Sequence, residues 1–556
     1  MKLKTTSLNY KDGYFISIVL LVASLPLSKF TMSVFQFCIL FFWLWHGVSY
    51  PESLSRSGKN SVFKIILAYT VEIFKQLINK FKILFKNKVA LVFVSIFFMH
   101  IIGLAYTTDF NYAFNDIRIK VPLFILPLFF VSGPKLSIRQ LHIIFIVYIL
   151  AVLGGITYQS LLFYQAGEAS AYAINSHVSH IRFSLNAIFA MALCFYFIFG
   201  KTFKNILVKL LFVIPIAIIV AFVLYFNYKT GIMLIPIVIG LSVIFLIINC
   251  KNKIVRITGI IGTAIVIILG IIGIKVLFDS FKPKTIDFAT LDKVTANGNA
   301  YTHDTINYKT YDGKWMGLYI CYPELIEEWN KQSSIDFYGR DKKDQPIRGT
   351  LIKYLASKDL RKDAEGFSKL SSEDIENIEN GINNANYTSG KTLRNNFEDF
   401  YAGYCNYKTN KYVNYNTYWQ RVEYWRTSIL IIKQHPVFGV GTGDLQLAFD
   451  EQYEKMQSTL DTQFRHRSHN QFLAIAIAFG LVGLALFVFV QFYPPIKQKS
   501  FKNYYFYIFW FIAMISMLTE DTLETQEGVT FYAVFMALFL FAVNFANSSD
   551  KSEQET

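Results

Sequence analysis

The sequence predicts an all-α polytopic membrane protein with about twelve transmembrane helices and one large, partly helical extracytoplasmic loop. Three observations predict it. Apolar residues make up 53% of the 556 and charged residues only 17%, where an ordinary soluble protein carries about a quarter charged. Apolar runs of about 16 to 25 residues recur, long enough to cross a hydrocarbon core of ~30 Å as helices. Basic residues gather between those runs in an alternating pattern, which fixes orientation in a bilayer. The counts of Phe (54) and Tyr (34) fit side chains packed against lipid and anchored at its interfaces. The formal charge of +15 therefore reads as topology and does not call for nucleic acid as a partner. Membrane lipids are the expected surroundings.

The runs lie near 13–30, 32–48, 89–107, 118–133, 141–164, 183–200, 205–226, 230–249, 255–278, 470–493, 503–519 and 529–547. The first follows Lys2, Lys4 and Lys11, as a signal peptide would. It lacks a clear small-x-small cleavage site and runs directly into a second apolar segment, so it reads as a retained span. The stretch 49–88 carries Arg56, Lys59, Lys64, Lys75, Lys80, Lys82, Lys86 and Lys88 and is expected in the cytoplasm. Lys135 with Arg139, Lys201 with Lys204, Lys251, Lys253 and Arg256, and Lys497, Lys499 and Lys502 mark the other cytoplasmic loops. The acidic loop Glu520, Asp521, Glu524, Glu527 falls on the opposite face. An even number of spans puts both termini in the cytoplasm.

This assignment divides the chain into an N-terminal bundle of about nine spans (1–278), a large exported loop (279–469), and about three further spans with a short tail (470–556). Within the loop, Val422, Trp425, Ile429 and Ile432 recur at helical spacing over 417–434, a stripe for the membrane surface or for the bundle. Segment 350–385 has a similar, more charged pattern. Cys38, Cys194 and Cys250 sit in or beside apolar segments, where thiols behave as small hydrophobes. Cys321 and Cys405 share the exported loop, and a disulfide between them is left open. No CxxC occurs, so zinc and thioredoxin-like sites have no support.

The chemistry-bearing residues cluster at the expected outer ends of the spans. Ser468-His469-Asn470-Gln471 is followed by an apolar run holding Gly480 and Gly483. A histidine at the mouth of a span meets water and substrate, and its charge changes near working pH, so it can take a proton from a hydroxyl. The glycines, one helical turn apart, allow close helix approach. Read alone, the pattern fits a general base or an interfacial histidine above a glycine-packed helix. Arg421 and Trp425 lie four residues apart on one helix face, while Arg426 projects elsewhere. His435-Pro436-Val437-Phe438-Gly439-Val440-Gly441-Thr442-Gly443 lacks a GK[ST] ending and reads as a turn rather than an ATP-binding loop. Lys229 occupies a tight outward turn, and Arg182 opens a span with His177, His180 and Asn186 nearby. Cations held at an apolar boundary are costly, so each marks a site or snorkels to the interface. Together with His469 they suggest a diphosphate clamp beside a base.

These residues resemble the O-antigen ligase and polymerase superfamily. His469-Asn470 with Gly480 and Gly483 matches its His-Asn-x9-Gly-x-x-Gly signature, and Arg421-x-x-x-Trp425 with Pro436-x-x-Gly439-x-Gly441 looks like its outer-loop block. The resemblance implies an enzyme of the bacterial inner membrane that moves a glycan from an undecaprenyl-diphosphate carrier to an acceptor hydroxyl, with neither nucleotide nor metal and no cofactor. It implies that His469 is the base and Arg421 a catalytic diphosphate contact. Lys229, Arg182 and Arg426 are the other expected diphosphate-binding residues, and Asn470, Trp425, Gly480 and Gly483 support them. Where the family has a second arginine in a Ser-Arg-small motif, Lys229 stands before Thr230-Gly231, keeping charge without the bidentate fork. The outer loop is larger than usual before about residue 410. Lipid A core is the expected acceptor, with a carrier-linked repeat (polymerase) or protein Ser/Thr (O-oligosaccharyltransferase) as alternatives. A lipid-linked-sugar flippase would also use a cationic cavity, but the two halves show no internal repeat.

Overall fold

The computed structural model describes residues 10–49, 61–166, 178–282, 285–305, 310–311, 313–387, 393–411, 413–414 and 416–543. Lys2, Lys4, Arg56, Lys59 and His177 lie outside the described residues. Helix dominates. The only sheet among the described residues is a two-residue antiparallel pair, Thr310–Tyr311 with Lys314–Trp315.

Among the described residues, seven helices are long and apolar enough to cross a membrane: Lys88–Tyr106, Ile138–Gln165, His180–Phe199, Ile206–Tyr225, Lys229–Ile248, Lys253–Ser280 and Gln471–Lys497. Lys29–Trp45, Tyr504–Thr519 and Gln526–Ala542 are shorter apolar helices. These fall on ten of the twelve predicted runs, and the first run is the helix Tyr10–Ser24. The fourth run is split. Proline lacks an N–H and favours the first helical turn, so Phe110–Lys120 stops and Pro122–Ser132 starts anew. The stretch 49–88, expected as a loop, holds the 25-residue helix Val62–Lys86, capped at its start by the Ser61 side chain. Its lysines alternate with apolar residues at helical spacing, so reading the stretch by charge alone hides the helix.

The chain forms two compact units. The first comprises Met1–Ile257, Tyr424–Ser458 and Arg465–Thr556; the second comprises Thr258–Glu423 and Thr459–Phe464. The expected loop 279–469 is thus shared between them. The first unit is packed by aromatic edges and faces, as where Phe189 meets Phe535 at 4.8 Å and Phe509 at 5.3 Å between ring centroids. Buried polar side chains find partners inside it, as where Tyr148 donates to Asn186 Oδ1 at 2.8 Å.

The second unit has its own core. Leu325, Trp329, Phe337, Ile347, Leu351, Leu355, Phe367 and Ile378 are fully buried there. The short helices Tyr322–Gln332, Ile347–Ser357, Ala364–Phe367 and Ser372–Glu379 supply most of them, as the periodicity of 350–385 predicts. Ser371 and Asp374 close a reciprocal cap at the last of these. Cys321 and Cys405 are both free thiols, so the disulfide left open by the sequence is not formed.

Candidate active site

The backbone around His469 is pinned on both sides. Asn470 caps the helix Gln471–Lys497: its Oδ1 accepts from the N–H of Phe472 at 3.0 Å and of Leu473 at 3.1 Å. Its Nδ2 donates to the carbonyl of Leu518 at 2.9 Å. On the other side, Trp425 Nε1 donates to the Ser468 carbonyl at 3.0 Å, and Ser468 Oγ lies 3.2 Å from Asp521 Oδ1. Between these anchors His469 takes φ 45°, a left-handed conformation that few side chains adopt. Such strain persists only where the surroundings over-determine it, and it clusters at functional sites.

The imidazole Nδ1 lies 3.3 Å from Glu520 Oε2. The Glu520 side chain is 8% exposed and that of His469 is 36% exposed. A buried carboxylate on Nδ1 favours the tautomer protonated there and leaves the Nε2 lone pair for a substrate proton. The rings of Tyr424 and His466 flank the imidazole at 5.7 and 6.1 Å. Burial, aided by the neighbouring His469, lowers the His466 pKa and keeps that ring neutral.

Glu520, Asp521 and Glu524 sit in the turn between Tyr504–Thr519 and Gln526–Ala537. An acidic loop of this composition would ordinarily be solvated, but all three carboxylates are buried. Glu524 is the hub. It accepts from Gln471 Nε2 at 3.1 Å and faces Lys120 Nζ at 3.2 Å and Arg467 Nη1 at 3.6 Å. Lys120 also pairs with Asp116, and Arg467 donates to Tyr112 Oη. Burial would raise the Glu524 carboxyl, but Lys120 and Arg467 overcome it and hold it below the usual range. For Asp521 burial prevails over Arg467 and His469 and raises it. Arg467 and Gln471 each stand two residues from His469, so one carboxylate grips the chain on either side of the imidazole.

Arg182 is buried, and its guanidinium donates to Thr522 Oγ1 at 3.3 Å and to the Asp521 carbonyl at 3.1 Å. It therefore holds the turn that carries Glu520. Lys229 is exposed and begins the helix Lys229–Ile248. The preceding Tyr228 ring lies 5.9 Å from that of His180, and Gly231 approaches Val223 and Ser184. Lys229, Arg182 and His469 thus occupy one end of the first unit.

The two glycine motifs meet each other. Gly480 has φ 65° and breaks the helix, and a Cβ there would stand 2.1 Å from the Val437 carbonyl oxygen. Gly439, at φ 71°, meets the carbonyl of Ile477 in the same way. Backbone groups freed by the break find partners in the 436–441 segment. Leu481 N–H donates to Pro436 at 2.8 Å, and Val440 and Gly441 donate to Ile477 and Ala478, both at 2.9 Å. Irregular backbone at membrane depth needs such substitutes. Gly483 instead faces side chains: a Cβ there would stand 2.2 Å from Phe479 Cβ and 3.2 Å from Met99 Sδ. The segment is a docking turn, and Asp444 closes it by accepting from the N–H groups of Thr108 and Asp109 at 2.9 and 2.8 Å.

The helix predicted over 417–434 is Thr417–Gln434. It buries Tyr424, Thr427, Ser428 and Ile431, while Trp425 and Ile429 on the apolar stripe stay exposed. Arg426 is exposed and belongs, with Trp425, to the first unit. Arg421 belongs to the second, and its Nη1 lies 3.5 Å from the Thr417 carbonyl one turn back. Sequence reasoning passed over Lys120, Asp116 and Arg467, and gave Gln471 no role. A lysine opening an apolar run and the crowding of Arg465, His466 and Arg467 before His469 were the available signals.

A family model described as O-Antigen ligase matches residues 378–488, about a fifth of the chain. The match includes Arg421, Trp425, Arg426, His469, Asn470, Gly480 and Gly483, and lies outside Lys229 and Arg182. No curated protein matches the chain. Residues 378–488 of this polytopic helical membrane protein, His469 among them, are thus similar to the O-antigen ligase family.

Proposed function

We propose that the protein transfers a glycan from undecaprenyl diphosphate to an acceptor hydroxyl at the periplasmic face of the bacterial inner membrane, with lipid A core as the acceptor. The observation that carries this reading is the pairing of a half-exposed His469 with the buried carboxylate of Glu520 at a span end. In this mechanism His469 Nε2 takes the acceptor hydroxyl's proton as its oxygen attacks the anomeric carbon. The bond from that carbon to the diphosphate oxygen breaks, and undecaprenyl diphosphate leaves with the bonding electrons. Glu520 steadies the imidazolium that forms. Lys229, Arg421 and Arg426 stabilise the charge growing on the leaving diphosphate, Arg421 on the strength of its Arg-x-x-x-Trp block. Arg182 acts through the turn it holds. Positioned general-base help is typically worth about 10²–10⁴-fold and one charge-stabilising donor about 10²–10³.

The test is transfer by the purified full-length protein, given undecaprenyl-diphosphate glycan with EDTA and no nucleotide. Lipid A core, a second carrier-linked repeat and a Ser/Thr peptide are offered separately. Product on lipid A core supports the ligase, and product on another acceptor reassigns the subtype. Movement of intact glycan lipid across vesicles without any transfer refutes the reading in favour of a flippase.

A further inference from the structure

At the opposite end of the first unit from His469, a cavity of about 770 Å³ opens where Lys229–Ile248 and Gln471–Lys497 end and Tyr504–Thr519 begins. The kinked helix Gln471–Lys497 starts beside His469 and ends at this cavity. Its volume lies within the range of about 300–1,000 Å³ typical of small-molecule sites. Ile248, Phe492 and Ile496 leave much of their apolar surface open, and Trp510 closes one wall with its indole N–H spent on the Gln491 carbonyl at 2.9 Å. The lining is thus mostly hydrocarbon, with Asn249 and Tyr507 as its uncharged polar members and the Asn249 Nδ2 spent on the Phe245 carbonyl at 2.8 Å.

Two cations stand on its rim. Lys499 and Lys502 line the cavity, both are exposed, and neither has an ion pair among the described residues. The turn that presents them is fixed: Lys499 takes φ 54°, its N–H donates to Ile496 at 3.1 Å, and its carbonyl accepts from Lys502 at 3.2 Å. The stretches 249–256 and 497–503 at this end carry Lys251, Lys253, Arg256, Lys497, Lys499 and Lys502 and no Asp or Glu. An apolar recess at a span end, edged by uncompensated lysines, matches one kind of molecule. We propose that it binds one anionic phospholipid of the surrounding bilayer, an acyl chain in the cavity and the headgroup phosphate on Lys499 and Lys502. The headgroup's net charge matters, because a zwitterionic lipid brings its own ammonium to the lysine cluster. The site is independent of the transfer reaction proposed above.

Native mass spectrometry of the detergent-purified full-length protein, titrated with phosphatidylglycerol or phosphatidylethanolamine, tests it. The expected result is one phosphatidylglycerol retained per chain in preference to phosphatidylethanolamine. Each lysine near an anionic surface is worth about fivefold in affinity, so Lys499→Ala with Lys502→Ala weakens phosphatidylglycerol about 25-fold. The double exchange to Arg keeps it, and Ile248→Trp, which fills the recess, removes it with both lysines present. Equal retention of the two lipids overturns the proposal. So does undiminished phosphatidylglycerol binding by the double alanine variant eluting as a folded protein. Should that variant aggregate, Lys502→Ala alone carries the test, with fivefold weakening expected and none contradicting it.

Discussion

Replacing Glu520 with Gln removes a charge beside His469 while keeping the size of the side chain. The amide oxygen still accepts from Nδ1–H, so the tautomer is preserved and the charge alone is tested. Carboxylate Oε2 and Nδ1 lie 3.3 Å apart. At that distance a carboxylate–imidazolium pair is worth about 5 kcal/mol at an effective dielectric of ~20 and about 1.3 kcal/mol at ~80. His469 is more than a third exposed, so water screens part of the attraction. A loss of about 2–3 kcal/mol follows, or roughly 30- to 150-fold in rate. The imidazolium exists only once the proton has moved, so the loss falls on kcat and leaves KM nearly unchanged. The assay is steady-state transfer by purified protein with the donor varied at saturating acceptor. A Glu520→Gln enzyme within threefold of wild type in kcat, or one altered only in KM, would refute the reasoning.

Glu524→Gln leaves the buried Lys120 and the half-buried Arg467 without their shared counter-charge, and breaking a buried pair costs about 3–5 kcal/mol. The variant should melt well below wild type in detergent; an unchanged midpoint contradicts the clamp. Because its carboxyl is held low, Glu524 contributes stability above the ordinary glutamate value near pH 4.3, and that stability is lost as pH falls through the lowered value. Wild type should therefore lose acid resistance in a step that Glu524→Gln lacks, as melting at a series of pH values would show. Gly480→Ala puts a Cβ 2.1 Å from the Val437 carbonyl at a φ of 65°, adding at least about 1–3 kcal/mol of strain. A Gly480→Ala variant that melts with wild type in detergent would argue against the docking turn. Lys229→Arg should keep transfer and Lys229→Ala should lose about 10²–10³-fold in kcat/KM. Full activity of the alanine variant would remove Lys229 from the diphosphate site.

The spans were legible because burial in lipid demands long apolar runs, and ten of those predicted lie on apolar helices of the structure. The helix Val62–Lys86 was not, since a mixed-charge amphipathic helix has the composition of a loop. His469 and the glycines stood out by type and spacing. What the glycines do was less visible. Spacing suggests helix-on-helix contact, whereas Gly480 accommodates the backbone of Val437, which follows a distant helix in the chain. The network behind His469 was illegible for a related reason. Asp116, Lys120, Arg467, Gln471 and Glu524 span some 400 positions, and no local pattern pairs Lys120 with Glu524. The acidic turn reads as solvated by composition; only tertiary packing, with Arg182 and Gln471 hydrogen-bonding to its backbone, buries it.

The central claim is that His469 performs the proton transfer and does not hold the donor. It is tested most directly by comparing wild type with His469→Ala in single-turnover transfer, with binding of undecaprenyl-diphosphate glycan measured on the same preparations. The account predicts donor binding within a few-fold of wild type and transfer slowed by about 10²–10⁴-fold. Transfer at the wild-type rate, or loss of transfer that simply tracks loss of donor binding, would contradict it.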